Sequence, residues 1–403
     1  LLNASQFINY SKELCFIHEQ LGVLYDLSVS IVFTGLISVG KSTTINCLIG
    51  FNIAPSRVQT MTAIPVRYVH DNNCPTPKMF VPFSTELNLV LDQIKLFLKE
   101  VGQPLLRESL ARSSSRILID KIFNGLTFVS QYTGLEEILE ASTYIHDLYR
   151  LAIEEIFSNE VMLFLPLDWS RGINSFLTIY TRFRELSVPT GFVEFSLIDT
   201  PGIDEAGVQK LNLNQVIQDS MNTCNYCVLV FNSTNYNSVS LNPIKDLIYQ
   251  AQQKWKIPCI ALGTHSEALP NSEKEATKKN VSSSLLAHEK IIFTPDQIFL
   301  VSAFRKLICS RMIEFVDQNK RNPSHESKDE NEKKLAEDWI FSLAFGDDEA
   351  SKIEYYESLS QEKVKGRCEK VIEGSSMKEP IDLMVNNSVR NSIPLCTQAS
   401  TRK

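Results

Sequence analysis

The run Gly35-Leu36-Ile37-Ser38-Val39-Gly40-Lys41-Ser42 has the spacing GxxxxGK[ST], and it restricts the possible folds of this chain more than any other feature. Val29 to Thr34 before it reads as a buried strand, and Lys41 to about Gly50 after it reads as a helix. Strand, glycine loop and helix form the setting in which backbone N–H groups turn inward on a phosphate and the helix N-terminus adds positive potential. Lys41 then reaches the terminal phosphates, and the Ser42 hydroxyl is placed for a Mg²⁺ ion. A chance Gly/Ser turn does not explain why a strand stops directly before Gly35 and a helix starts directly after Gly40.

A nucleotide site of this type needs a carboxylate at the end of a neighbouring strand. Ser196-Leu197-Ile198-Asp199-Thr200-Pro201-Gly202 supplies one, with Asp199 at the sheet edge as a metal ligand, direct or through water, and the Gly202 N–H as a sensor of the last phosphate. Between the two motifs lies Gln59-Thr60-Met61-Thr62-Ala63-Ile64-Pro65, followed at once by the apolar stretch Val66 to Val69. A mobile hydroxyl is expected there that closes on the metal when the last phosphate is present. Thr62 is the candidate and Thr60 its competitor.

With 403 residues the chain suits one large domain with insertions or two smaller ones. Hydrophobic residues at 43% and charged residues at 22% fit a water-soluble globular protein, and the net charge of -7 gives no general attraction to nucleic acid or anionic bilayers. No direct nucleic-acid binding is predicted. No apolar run approaches the roughly 18 residues of a membrane span, and no basic segment leads an apolar core at the N-terminus. The first residue is Leu1, which leaves open that the chain is a fragment. Nine cysteines form no framework; Cys224 and Cys227, the one CxxC, read as core thiols rather than a metal or redox pair. The cysteine usage fits a reducing cytosol, so the expected location is cytoplasmic, with peripheral membrane contact left open.

Helical periodicity marks Asn3 to Tyr25, a segment after Ser84 with Leu87, Leu91, Ile94, Leu98 and Val101 on one face, and Leu135 to about Phe157. Phe176 to Leu186 alternates and reads as a strand joined through Pro189 and Gly191 to Val193–Ile198 as a hairpin. Cys227–Phe231, Ile257–Leu262 and Ile298–Val301 read as short buried strands with helices between them, which argues for a largely parallel sheet. The polar run Gln318 to Lys334 reads as a loop or disordered connection, Leu335 to Phe345 as a helix, and Gly374 to Lys403 has weak periodicity. Arg107, Arg112 and Arg116 read as a solvated basic face rather than as a catalytic arginine.

Gly40-Lys41-Ser42-Thr43-Thr44-Ile45-Asn46, Met61-Thr62-Ala63-Ile64-Pro65, Leu197-Ile198-Asp199-Thr200-Pro201-Gly202 and Glu205-Ala206-Gly207 together resemble the dynamin superfamily, in particular bacterial dynamin-like GTPases of the replication-clamp-associated type. The resemblance implies an α/β P-loop GTPase fold, with a mostly parallel sheet of six or more strands, helices on both faces and a helical insertion. It implies an N-terminal helix at 1–27, a dynamin-type GTPase domain at 28–317 with the insertion at about 84–160, a polar linker or loop at 318–334, and a helical segment at 335–403 leading toward a stalk not found in this chain. By the same resemblance Thr62 binds Mg²⁺ and helps position the attacking water, Ser38 offsets charge at the phosphates, and Gly35, Val39, Gly40, Lys41, Ser42 and Thr43 surround them. Ser38, Lys41, Thr62 and Gly202 are the candidate catalytic residues. Ser42, Thr62 and Asp199 are the candidate metal ligands.

Two departures stand out. Ile37 occupies the position of the glutamine that orients the catalytic water in animal dynamins, so slow or absent hydrolysis is an open alternative. In place of the guanine-reading [NT]KxD the chain has Thr264-His265-Ser266-Glu267, in which Glu267 stands at the Asp position with one extra methylene. It is either a base-reading carboxylate or an exposed loop acid. Ser302-Ala303 resembles the short [ST]A base loop. The leading expectation is Mg²⁺-dependent binding and hydrolysis of GTP that switches the head. The alternatives are a nucleotide-binding interaction module with little turnover, or an ATPase. The resemblance also implies a head-to-head homodimer on nucleotide binding, and membrane or DNA-clamp association through parts outside this chain.

Overall fold

The computed structural model describes residues 28–55, 62–101, 113–153, 165–166, 176–188, 194–202, 217–218, 220–221, 224–236, 242–254, 256–287, 290–344 and 348–401. The predicted helix at Asn3–Tyr25, Thr60, Glu205-Ala206-Gly207, Arg107 and Arg112 lie outside them. Arg116 is exposed.

Strand β1 (Ser28–Gly35) leads through the glycine loop into α1 (Lys41–Ile49). Next come β2 (Val66–His70), β3 (Lys78–Phe80), α2 (Ser84–Val101), α3 (Ser113–Phe123), β4 (Gln131–Thr133), α4 (Leu135–Ile153), β5 (Leu177–Thr181) and β6 (Glu194–Asp199). The regular α/β part continues with β7 (Tyr226–Asn232), α5 (Asn242–Gln253), β8 (Cys259–Thr264), α6 (Lys274–Ser284), the ribbon β9 (Leu286–Ala287) and β10 (Lys290–Ile291), and β11 (Ile298–Leu300). Five helices follow: α7 (Ala303–Asn319), α8 (Glu330–Leu343), α9 (Glu349–Glu357), α10 (Gln361–Gly374) and α11 (Lys378–Thr401).

The main sheet has nine strands in the order β11-β8-β7-β1-β6-β2-β5-β3-β4. Pairings from β11 through β6 are parallel, as is β2 with β5, whereas β2–β6, β3–β5 and β3–β4 are antiparallel. This is the mostly parallel α/β architecture that the alternation of elements predicts. Strands β7 and β8 are buried along nearly their whole length, as strands are when both sheet faces are covered. Cys224 and Cys227 are buried free thiols within this core.

Three expectations need correction. The hairpin between Phe176–Leu186 and Val193–Ile198 does not form: β2 lies between β5 and β6, with Val66 opposite both Leu177 and Asp199. Alternation marks a strand but does not choose its neighbour. Strand β5 also stops at Thr181, because the next backbone donors leave the ladder: Phe183 N–H binds His70 Nδ1 at 2.9 Å and Arg184 N–H binds the Ile49 carbonyl at 2.8 Å. The segment read as a helical insertion includes strand β4 besides α2, α3 and α4, and β4 extends the main sheet through β3. Helix α11 lies within the helical segment expected at 335–403, and its Ile381, Met384 and Val385 join the main core.

The polar run Gln318–Lys334 is an ordered connection rather than a disordered one, spanning the end of α7, a loop and the first turn of α8. Charge alone suggested solvation, but Glu332 is buried and accepts from both terminal guanidinium nitrogens of Arg321, from Ser324 N at 2.8 Å and from Ser327 Oγ at 3.1 Å. A second core lies behind it, where Met312, Trp339, Tyr356 and Cys368 bring α7, α8, α9 and α10 together. Trp339 Nε1 donates to Cys368 Sγ at 3.2 Å, and Tyr356 donates its hydroxyl to the Pro323 carbonyl at 2.7 Å. The Arg321 pairing, helped by Ser324 and Ser327, holds the Glu332 carboxyl down to about 2 against the opposing pull of desolvation.

Because this folded value lies below the unfolded value, the stabilisation is complete above the ordinary glutamate range and disappears as the pH falls toward 2. In urea denaturation between about pH 5 and pH 2.5, the wild-type protein is expected to lose more stability than Glu332→Gln. Parallel curves would contradict the role of this pair.

Candidate functional site

The parallel register of β1 places Gly35 beside Val230 of β7 and Phe33 beside Asp199 of β6, so the glycine loop and the acidic strand end open at the same carboxyl edge of the sheet. The loop enters α1 through Gly40, whose φ of 91° is left-handed; a Cβ there would also meet Thr264 Cγ2 at 3.3 Å. Ser38 takes a left-handed conformation as well, with φ 55°. Val39 is buried, and Ser42 and Thr43 begin the first turn of α1. Lys41 is only 7% exposed, and its ammonium folds over the loop to donate to the carbonyls of Leu36 at 2.7 Å and Gly35 at 3.2 Å. Asn46, which the sequence did not single out, holds the far end of α1. Its Oδ1 accepts from Ile53 N and Ala54 N, and its Nδ2 donates to the Ala54 carbonyl.

Three segments distant in sequence meet at Asp199. Ser42 Oγ donates to Asp199 Oδ2 at 2.6 Å, Thr62 Oγ1 lies 3.1 Å from the same oxygen, and the two hydroxyls are 3.3 Å apart. The carboxylate is buried, which raises its pKa, against the opposing influence of the Lys41 charge and the two hydroxyl hydrogen bonds. Its other oxygen, Oδ1, is buried with no hydrogen-bond partner among the described residues. A single carboxylate with two adjacent hydroxyls is a hard, all-oxygen set that suits Mg²⁺ completed by phosphate and water. A dedicated protein cage would need more ligands, and no cluster of three His, Cys, Asp or Glu side chains suited to a metal occurs among the described residues.

Thr200 secures the end of β6 by donating its hydroxyl to the Phe33 carbonyl at 2.9 Å. Gly202 then runs directly against Ile37 of the glycine loop: a Cβ at Gly202 would lie 2.5 Å from Ile37 Cγ1 and 2.9 Å from its backbone nitrogen. Only glycine permits this approach, and it places the backbone after Asp199 against the glycine loop.

At the opposite end of the loop, β8 delivers Thr264. Its hydroxyl donates to the Val39 carbonyl at 2.7 Å and lies 3.1 Å from the Phe231 carbonyl, which ties the glycine loop to β7 and β8. His265 adopts φ 58°, turning the chain so that Glu267 faces the loop after β11. Ser302 donates its hydroxyl to Glu267 Oε2 at 2.6 Å, and Glu267 Oε1 lies 3.9 Å from His265 Nδ1. The Glu267 side chain is only 18% exposed, so it is a held carboxylate and not a free loop acid. Ala303, buried at the start of α7, completes this corner, and Ser302 N–H binds the Ser375 carbonyl at 3.0 Å. A cleft of about 1240 Å³ lined by Tyr226, Cys259, Asp296 and Lys378 lies at the other, amino end of β7 and β8, away from every motif residue.

No protein-family model matches the chain. Among curated proteins it is similar to the Clamp-binding protein CrfC of Escherichia coli, with 22% identity over 322 residues, which is 79% of this chain and 42% of that protein. The protein of the same name from strain K12 is 23% identical over 305 residues, 75% of this chain and 40% of that protein. The chain therefore spans about two fifths of the length of these relatives. Among solved structures, an oligomerised bacterial dynamin pair, described as a mechanism for long-range sensing and tethering of membranes, aligns over 96% of this chain and 48% of its own at 14% identity, with a TM-score of 0.39. A second structure of such a pair aligns over 93% and 54% at 15% identity, with a TM-score of 0.41. A dimerization-deficient mutant of Toc33 from Arabidopsis thaliana aligns over 72% and 76% at 12% identity, with a TM-score of 0.31. Overlays this distant carry no detail of the site.

Replacing Thr264 by Val keeps its shape and leaves the buried Val39 carbonyl without its donor. Thr264→Val is expected to lose about 1–3 kcal/mol of stability, and Thr264→Ser distinctly less, in chemical denaturation. Equal stability of the two variants would contradict the bridge.

Proposed function

Proceeding from the likeness to bacterial dynamin-like GTPases of the clamp-associated type, we propose that this chain binds and hydrolyses GTP with Mg²⁺. The observation that carries the reading is the meeting of Ser42, Thr62 and Asp199, three residues from three separate motifs, on one buried carboxylate oxygen. In this reading the amides of the loop from Gly35 to Thr43 and the Lys41 ammonium surround the phosphates, with Ser38 offsetting charge near them. Ser42, Thr62 and Asp199 hold the Mg²⁺, which supplies neutralising charge at the phosphate oxygens. The Gly202 N–H senses the last phosphate from its position against Ile37. Glu267, oriented by Ser302, accepts hydrogen bonds from the guanine edge, with His265 and Ala303 forming the rest of the base corner. Thr264 makes the base corner and the phosphate loop one rigid unit.

A second reading keeps nucleotide binding without efficient turnover. Its motive is Ile37: a hydrocarbon side chain at this position cannot orient a water molecule, and here it packs on Gly202. Water positioning then falls to Thr62, to backbone groups or to a partner. An ATP-preferring site is the remaining alternative, because Glu267 stands where guanine-reading proteins carry a shorter acid. Nucleotide-dependent head-to-head dimerisation, and clamp or membrane association through parts outside this chain, belong to the same proposal, as does a cytoplasmic location. No helix among the described residues is long and apolar enough to cross a membrane.

Lys41→Ala is expected to abolish GTP binding in titration calorimetry, and an unchanged affinity would overturn the assignment. In competition for one fluorescent analogue GTP should displace it better than ATP, and Glu267→Ala should erase that preference; ATP winning in the wild type would defeat the guanine reading. Mg²⁺-dependent phosphate release in a single-turnover assay separates the hydrolase from the binding module.

A further inference from the structure

His146 lies on α4, in the segment inserted between β3 and β5, and its side chain is only 1% exposed. Its Nδ1 accepts the backbone N–H of Ala63 at 3.1 Å. Ala63 directly follows Thr62, and both residues are buried. The peptide plane that joins them is therefore fixed from outside its own segment, by an imidazole some eighty positions along the chain (83 residues). That plane sets the direction of Thr62, whose hydroxyl reaches Asp199 and Ser42.

The chemistry of the ring is unusual for a residue that only fills space. Because Nδ1 accepts, the proton of the neutral ring sits on Nε2, and Nε2 is buried with no hydrogen-bond partner among the described residues. Burial, with the positive charge of Arg150, pushes the imidazole pKa down to about 3, so the ring stays in the accepting form. A leucine would fill this volume without an unpaired Nε2–H, but it would leave the buried Ala63 N–H without its acceptor. A buried imidazole with its one hydrogen bond spent on the residue after Thr62 is a device for placement.

We propose that His146 is a positioning residue: it holds the peptide between Thr62 and Ala63 so that the Thr62 hydroxyl stays beside Asp199 and Ser42, which makes α4 a support of the nucleotide site. This rests on the reading of Thr62 as a Mg²⁺ ligand. The hydrogen bond itself is testable without nucleotide.

The test uses the full chain and three variants. His146→Asn places its Oδ1 where Nδ1 stands and keeps the acceptor. His146→Leu removes it. His146→Gln moves the acceptor outward to the Nε2 position, and serves in place of the leucine variant if that one does not fold. Two quantities are read: amide hydrogen exchange at Ala63 in the free protein, and the Mg²⁺ concentration needed for half-maximal binding of a non-hydrolysable GTP analogue. His146→Leu and His146→Gln are expected to speed exchange at Ala63 and to raise the Mg²⁺ requirement, each by roughly tenfold for one lost hydrogen bond, with His146→Asn close to wild type. Exchange or Mg²⁺ requirement unchanged in the leucine and glutamine variants would overturn the proposal, as would an asparagine variant no better than leucine. If the wild type binds the analogue with no dependence on Mg²⁺, the metal reading of Thr62 fails, and the inference about Thr62 with it. Altered exchange at Ala63 then still shows the hydrogen bond itself.

Discussion

The carboxylate of Asp199 is the point on which the arrangement of this molecule turns. It stands at the end of β6, buried, with Ser42 from the first turn of α1 and Thr62 from the segment before β2 both on Oδ2. A buried carboxylate is costly unless its charge is answered. Here the answer comes from two hydroxyls and the nearby Lys41 ammonium, and Oδ1 remains open. The parallel pairing of β1 with β6 makes this possible, because it sets Phe33 against Asp199 and brings the glycine loop to the same edge.

The same edge carries Thr264 and the Glu267 corner. Thr264 joins β8 to the loop through the Val39 carbonyl, and Ser302 after β11 steadies Glu267. The glycine loop, the Asp199 carboxylate and the Glu267 corner are thus tied together by short side-chain hydrogen bonds. Gly202 against Ile37 closes the arrangement from the β6 side. Helix α4 adds a support from the inserted segment through His146.

Much of this was legible in the residues because local chemistry fixes it. The glycine loop, the helix at Lys41, the strand ending at Asp199 and the strand beginning after Pro65 all appear where their patterns place them. Features that depend on partners were not legible. The strand at Leu177 was recognisable, but its neighbour was not, since alternation is blind to which edge is free and β2 took the place beside β6. The polar run around Arg321 concealed a buried ion pair, because charge in a sequence says nothing of whether Glu332 finds four donors. His146 carries no motif; its role comes from a contact across 83 positions that only the fold creates. The contact of Glu267 with Ser302, 35 positions away, likewise comes only from the fold.

The most direct measurement of the central claim is a crystal structure of this chain with a non-hydrolysable GTP analogue and Mg²⁺. The account predicts the ion among Ser42, Thr62, Asp199 and the terminal phosphates, with guanine against Glu267. An analogue bound away from the Gly35–Ser42 loop, or an ion that leaves Asp199 untouched, would contradict it.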